Sequence, residues 1–369
     1  MRPPSRRCTT AWGSSVRSLG KTRLIVLGAI LVLTAVAGVL RYTGVAQVAL
    51  FFVALAALAG LAWAISFSTE SLGERIGPAA TGVLQATLGN IPEISVVLFA
   101  LGAGEIVVAK TSLLGALFSN ALLILGLAIL VGSGRAKDGV MRFGKRLPND
   151  TATLLLLAIF IIVLLGLADQ AGSGAGEHAE EISAFGAVLL LGVYVVWVWS
   201  YLRTGHREHA AAKQRVTGLS TGLAVGLIFG AGLSATFVSE WLVHAIDPAV
   251  ETLGISRAFT GHVIVAIAGN AVENAVAITS AWKGNHDLAL SVVNNAVSQT
   301  AVVVFPLLVL LSFFFAEPLT FVLEPIYIAA LALTAIAVWQ ITTDGEAVAF
   351  EGWALVALFG ILGALTWYA

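Results

Sequence analysis

Residues 89–93 read Gly-Asn-Ile-Pro-Glu, and residues 269–273 read Gly-Asn-Ala-Val-Glu. Three of the five positions match at a constant offset of 180. Both pentads lie inside long apolar stretches, where an acid costs about 2.5–3.5 kcal/mol on insertion scales. The same costly residue, three places after the same amide in two parts of the chain, points to duplication and to function. Downstream, Ser119 aligns with Gln299 at the same offset. Upstream, Thr69-Glu70 resembles Ser239-Glu240 at an offset of 170, so the second copy has ten more residues in a loop.

Working outward, 58% of the 369 residues are hydrophobic and 11% are charged. Soluble domains carry about 25% charged residues. These charges are too few to cover a soluble globule of this size, which argues against a water-soluble enzyme. The net charge of -1 gives no global pull on nucleic acid, and Cys8 alone allows neither an intramolecular disulfide nor a Cys-rich metal site. A membrane-spanning helix needs about 20 apolar residues. Eleven such runs are read, at 24–40, 45–67, 78–102, 106–131, 151–168, 182–202, 217–243, 257–282, 288–313, 319–340 and 348–368. They are long and continuous, unlike the short alternating strands of a barrel. The expected class is an all-α membrane protein with about eleven transmembrane helices.

The repeat divides the chain into a basic tail (1–23), an extra helix (24–41), a first five-helix unit (45–202), a basic linker (203–216) and a second five-helix unit (217–369). An odd number of spans makes the two units enter the membrane from opposite sides. That predicts inverted repeats with a site near the midplane where they meet, an architecture of secondary transporters. Basic residues favour the cytosol. With the N-terminus inside, only Arg41, Lys110 and Arg257 fall outside the expected cytosolic segments. The tail is read as cytosolic, the C-terminus as outside, and the acidic loop 169–181 as an outer, solvated loop.

Glu93, Glu240 and Glu273 are the carboxylates well inside spans. Residues three apart share a helix face. Asn90 with Glu93, and Asn270 with Glu273, therefore present an amide and a carboxylate to one point. Such oxygens suit a hard cation such as Ca²⁺, which takes six to eight of them. No Cys pair or intramembrane His cluster offers a soft-metal site. Gly89, Gly269 and Pro92 are expected to loosen the helices and free carbonyls. Two facing carboxylates in low dielectric cannot both stay ionised without a cation, so protons should replace a departing divalent ion. Competition for one site is the simplest antiport mechanism.

The segments GNIPEISVVLFALGAGEIVVAKTSLLGALFSNALLILG (89–126) and GNAVENAVAITSAWKGNHDLALSVVNNAVSQTAVVVFPLLVL (269–310) resemble the two signature repeats of the calcium/cation antiporter superfamily, in its cation/proton exchanger branch. The resemblance covers nearly the whole chain from about residue 45. It implies exchange of cytosolic Ca²⁺ for H⁺, with Glu93 and Glu273 as alternating-access ligands and Asn90, Asn270 and Gln299 as neighbouring donors. Glu70 and Glu240 match flanking acids and are candidate proton relays. The sequence departs from the family's second signature at Asn274, where the family has His. It also lacks two family hydroxyls, reading Gly115-Ala116 and Asn295-Ala296, and its linker is basic where the family often has an acidic one. These departures bear on proton stoichiometry and ion selectivity. Pro92-Glu93 is also similar to the Pro-Glu of sodium/calcium exchangers, which leaves Na⁺ or K⁺ open as coupling or transported ion.

His244 lies one turn after Glu240 and is read as interfacial, with a proton relay as the alternative; His262, near the outer start of the eighth span, is read as a packed histidine at a membrane interface. Gly218, Gly222, Gly226 and Gly230 form small-xxx-small spacings, expected to allow close helix contact within the chain. No HExxH, GxSxG or Walker A motif supports an intramembrane enzyme. A channel with the same acidic pair would share these features but would not move Ca²⁺ against its gradient. The expected protein is a secondary antiporter of a prokaryotic cell (inner) membrane, with lipid and small cations as partners, no nucleic acid and no resident cofactor. Its oligomeric state is left open.

Overall fold

The computed structural model describes residues 20–76, 88–205 and 219–368. Most of the basic tail, residues 78–87 of the third predicted span and the linker beyond residue 205 lie outside the described residues. Helices dominate: α1 (Gly20–Thr43), α2 (Gln47–Ile76), α3 (Ile91–Gly102), α4 (Ile106–Arg135), α5 (Arg146–Gln170), α6 (Ala179–Gly205), α7 (Thr221–Leu253), α8 (Arg257–Gly269), α9 (Ala271–Trp282), α10 (His286–Ser312), α11 (Pro325–Thr342) and α12 (Ala349–Trp367). Among the described residues, nine are long and apolar enough to cross a membrane. The pair α8–α9 passes the same test together, bent by 62°.

The predicted eighth span (257–282) is therefore broken rather than continuous. Gly269 disfavours helix, and the Asn270 side chain donates to Ala266 O at 3.1 Å, competing with the backbone ladder. The seventh span runs to Leu253, ten residues beyond its predicted end, and stops where Gly254 adopts a left-handed conformation. The all-helical expectation also missed a short antiparallel ribbon. In it β1 (Val140–Arg142) pairs with β2 (Glu346–Val348), Met141 opposite Ala347.

Contacts between loops sort the helix ends. At one end lie the ribbon, the Gly144 N–H donating to the Asp287 carboxylate at 2.7 Å, and His286 Nδ1 donating to Arg142 O at 3.3 Å. Arg135 lies over the Trp282 ring there. At the other end Arg257 pairs with Glu105 and Asp247, Lys110 donates to Val322 O, and Ser256 donates to Thr366 O. The bent pair α8–α9 thus runs from one end of the bundle to the other.

The backbone around the two pentads recurs at the offset of 180 seen in the sequence. α3 and α9 each have 12 residues. The Glu105 N–H donates to Ala100 O at 2.8 Å, and the Asn285 N–H to Ser280 O at 2.9 Å. Gly104 and Gly284 share φ of 79°, a left-handed turn that favours glycine. Each following helix then widens into a π segment, Ser119–Ile124 in α4 and Thr300–Val304 in α10. Two equivalent turns closed by the same hydrogen bonds need the same backbone, even where the side chains differ.

At the centre, α2 and α7 pack along their length, and α7 also lies against α3. α1 stands apart. Ile30 and Ala37 are its buried residues, and most of its surface faces outward.

Candidate cation site

The pentads are where helices stop and restart. Asn90 caps α3 and Asn270 caps α9, with Pro92 in the first turn of α3, where a missing N–H costs nothing. Glu93 and Glu273 fall in the first turns of these helices. N–H groups there lack intrahelical acceptors and form the positive end of the helix dipole, a setting that tolerates a carboxylate inside a membrane.

A small cavity of about 20 Å³, room for one water or ion, opens between Pro92, Glu93, Ser112 and Asn270. Apolar side chains of α2, α7 and α8, among them Leu55, Leu242 and Val265, close it. Glu93 Oε1 is buried against this wall with no hydrogen-bond partner. Asn90 Nδ2 donates to Gln299 Oε1 at 3.4 Å, tying the first break to α10. Ser239 of α7 donates to Pro92 O at 3.5 Å. Glu273 is half-buried, one turn from Asn270 and within electrostatic reach of Glu93. The structure thus gathers Asn90, Glu93, Asn270 and Gln299, with Glu273 near. This set of carboxylate, amide and hydroxyl oxygens fits a hard cation as cargo. Among the described residues, no group of three or more His, Cys, Asp or Glu side chains is placed to hold a metal.

Close helix approach holds the site together. A Cβ on Gly115 of α4 would collide with His262 O, and one on Gly261 would collide with Thr111 Oγ1. Backbone meets backbone here, which brings Ser112 to the break at Asn270. The pattern Gly115-Ala116, which lacks the family hydroxyl, is therefore a packing requirement at its glycine.

A wide vestibule lies on the side of the site away from the ribbon, with Leu98, Phe99, Val243 and Phe315 as its apolar wall and a polar wall facing them. Ser95, Thr236, Glu240, His244, Asp247 and Glu105 line it. The flanking acids part company here. Glu240 lines the vestibule and pairs with Arg41 at 2.9 Å, whereas Glu70 is exposed on α2 and lines neither cavity.

His262 is packed, as read: it is fully buried between the rings of Phe118 and Phe359, with neither ring nitrogen hydrogen-bonded. At Gly222, Gly226 and Gly230 a Cβ would meet no atom of the described residues within 4 Å; Gly218 lies outside the described residues. Asn274 is buried, and its Oδ1 has no partner. Sequence reasoning missed Ser112 and Arg41. Ser112 has no counterpart at the repeat offset, and Arg41 reads as an ordinary helix-end arginine.

Known proteins resemble this chain in sequence and in fold. The family described as sodium/calcium exchanger protein matches residues 46–202 and 223–368. A Ca(2+)/H(+) antiporter of Aphanothece halophytica is 28% identical over 335 residues, covering 86% of this chain and 89% of that protein. The Ca(2+)/H(+) antiporter ChaA of Bacillus subtilis is 32% identical over 322 residues, covering 85% and 90%. The solved structure of native YfkE superposes with a TM-score of 0.76 at 28% identity, covering 92% of this chain and all of that one.

Proposed function

The chain belongs to the sodium/calcium exchanger protein family, in its cation/proton exchanger branch, and from that membership we propose that it exchanges cytosolic Ca²⁺ for H⁺ by alternating access. It is a multi-pass membrane transporter, and its relatives are antiporters, not enzymes. Glu93 and Glu273 carry the cation, and Asn90, Asn270 and Gln299 complete its shell. The observation that carries this reading is the buried, unpartnered Glu93 oxygen at a cavity shared with Asn270. A carboxylate left without a donor in low dielectric requires either a cation or a proton. The two alternatives are the two halves of an exchange cycle.

Eleven crossings, as an extra helix and two inverted five-helix units over 45–202 and 217–369, accord with the recurring turns and with the sorting of loops to two ends. Arg135, Arg142 and Lys145 gather near the ribbon, which supports a cytosolic ribbon end and an outer C-terminus. Localisation to a prokaryotic inner membrane, with the flanking acids as relays, completes the reading. Of those acids, the vestibule favours Glu240.

In vesicles holding the full chain, a pH gradient is expected to drive Ca²⁺ uphill. Flow only down the Ca²⁺ gradient would mean a channel. The Pro92-Glu93 pair favours one competing reading, Na⁺ coupling. Movement driven by a sodium gradient with pH clamped would establish it. For orientation, single cysteines in 133–150 and 169–181, placed in a Cys8-free chain, are expected to react with an impermeant reagent only in 169–181 on intact cells. Labelling of 133–150 alone would invert the topology.

A further inference from the structure

α1 lies outside both repeat units and buries little of its surface, yet its last turn is fixed against α7. A Cβ on Gly38 would lie 3.0 Å from the Trp241 ring, so the indole rests on the backbone of α1. Tyr42 meets the same ring edge-on, with centroids 6.2 Å apart. Between these contacts, Arg41 reaches Glu240 at 2.9 Å, with side chains 25% and 38% exposed. Its Nε is buried without a partner, so the guanidinium is drawn partly out of solvent to make this pair.

Glu240 is not a remote surface acid. It lines the vestibule with Ser95 and with His244 and Asp247 of its own helix, and Glu105 enters from the turn after α3. Ser239, its neighbour, bonds Pro92 O beside Glu93. The vestibule therefore begins next to the cavity and carries three carboxylates. Arg257 of α8 offsets two of them, Glu105 at 3.1 Å and Asp247. The third is offset by Arg41. Left unopposed, a carboxylate in this partly apolar-walled opening would attract a divalent cation and slow its departure.

We propose that Arg41 is a positioning residue for transport: by neutralising Glu240 it sets the apparent affinity for the divalent cation on the vestibule face, keeping that face weak so that cargo leaves. The inference rests on Glu93 being the cation site reached from this vestibule. Arg41 touches no cargo itself and acts through Glu240.

The test uses the full-length protein in vesicles of both orientations, with Ca²⁺ as the probe and KM and maximal rate measured at each face. Arg41→Gln is expected to lower the KM for Ca²⁺ at the vestibule face alone, by roughly threefold to tenfold at low salt, with the effect shrinking as ionic strength rises. Arg41→Lys keeps the charge and should stay near wild type. Adding Glu240→Gln to Arg41→Gln should cancel the lowering of KM at that face, while any loss of the relay shows in the maximal rate. If Arg41→Gln does not fold, Glu240→Gln alone leaves the guanidinium unopposed and should raise KM at the same face. An unchanged KM at both faces with a reduced maximal rate would make the pair structural and overturn the proposal. Glu93→Gln run in parallel separates the two levels. If it loses exchange while Arg41→Gln leaves KM unmoved, this inference alone fails. If it retains full exchange, the site reading and this inference fail together.

Discussion

The helices that begin at Asn90 and at Asn270 have matching backbones and unlike surroundings. Each is 12 residues long, each is capped by an asparagine, each carries a glutamate in its first turn, and each ends in the same glycine turn. Yet Glu93 opens on a cavity with Ser112 and has an oxygen without a partner, while Glu273 does not line that cavity. The first helix starts with the help of Pro92; the second starts without a proline. The difference teaches that duplication carries over the backbone and its hydrogen bonds, whereas neighbouring helices decide what each copied carboxylate meets. The proposed alternating access calls for such an inequality: at any moment the two halves of an alternating-access transporter cannot be packed alike.

The largest expected effect tests whether the two acids are nevertheless equivalent in chemistry. Glu93→Gln or Glu273→Gln is expected to abolish Ca²⁺/H⁺ exchange while leaving a folded protein, because each removes one charge from a site that must balance a divalent ion. Flux measured in vesicles, with size-exclusion behaviour as the folding control, checks it. Near wild-type flux in either variant would remove that residue from the ligand set and sharpen the inequality into a single-acid site.

Next in size is the crossing that makes the two breaks neighbours. Gly115→Val or Gly261→Val places side-chain atoms where other atoms already lie. Overpacking of this kind costs typically about 1–3 kcal/mol, and more where backbone must move. The expected outcome is loss of exchange with a lowered unfolding temperature. Gly360→Val on α12, exposed and with no described atom within 4 Å of its Cβ position, should leave both unchanged. Equal tolerance at the three positions would show that the helix crossing does not hold the site.

The smallest effect concerns protons. Protons and Ca²⁺ should compete for one site, so lowering pH on the binding side should raise the apparent KM for Ca²⁺ with little change in maximal rate. Asn274→His restores the family residue at a buried position. If that position faces the proton path, the pH profile gains a second titration near the imidazole range of about 6.5. An unchanged profile would place position 274 off the path.

The repeat, the membrane class and the acids Glu93 and Glu273 were legible because intramembrane charge is rare and costly, so a recurring acid stands out against apolar background. The break at Asn270 was half legible: Gly269 announced loosening, but a hydrophobic run does not record its own bend. Ser112 was invisible, since a lone serine in a helix resembles many others until a glycine crossing brings it to the site. The burial of His262 between two rings was illegible for the same reason, because Phe118 and Phe359 are far from it in sequence.

By itself the sequence determined that this chain lives in a membrane, contains two related units and carries paired acids with neighbouring amides, because those properties are local: composition, spacing and the energetic cost of a buried charge. Tertiary structure alone decided that Glu93 opens on a cavity with Ser112 and Asn270, that Glu240 is held by Arg41 while Glu70 is not placed with it, and that His262 is buried between two rings. Those outcomes depend on contacts between helices distant in sequence, and no local pattern encodes which faces will meet.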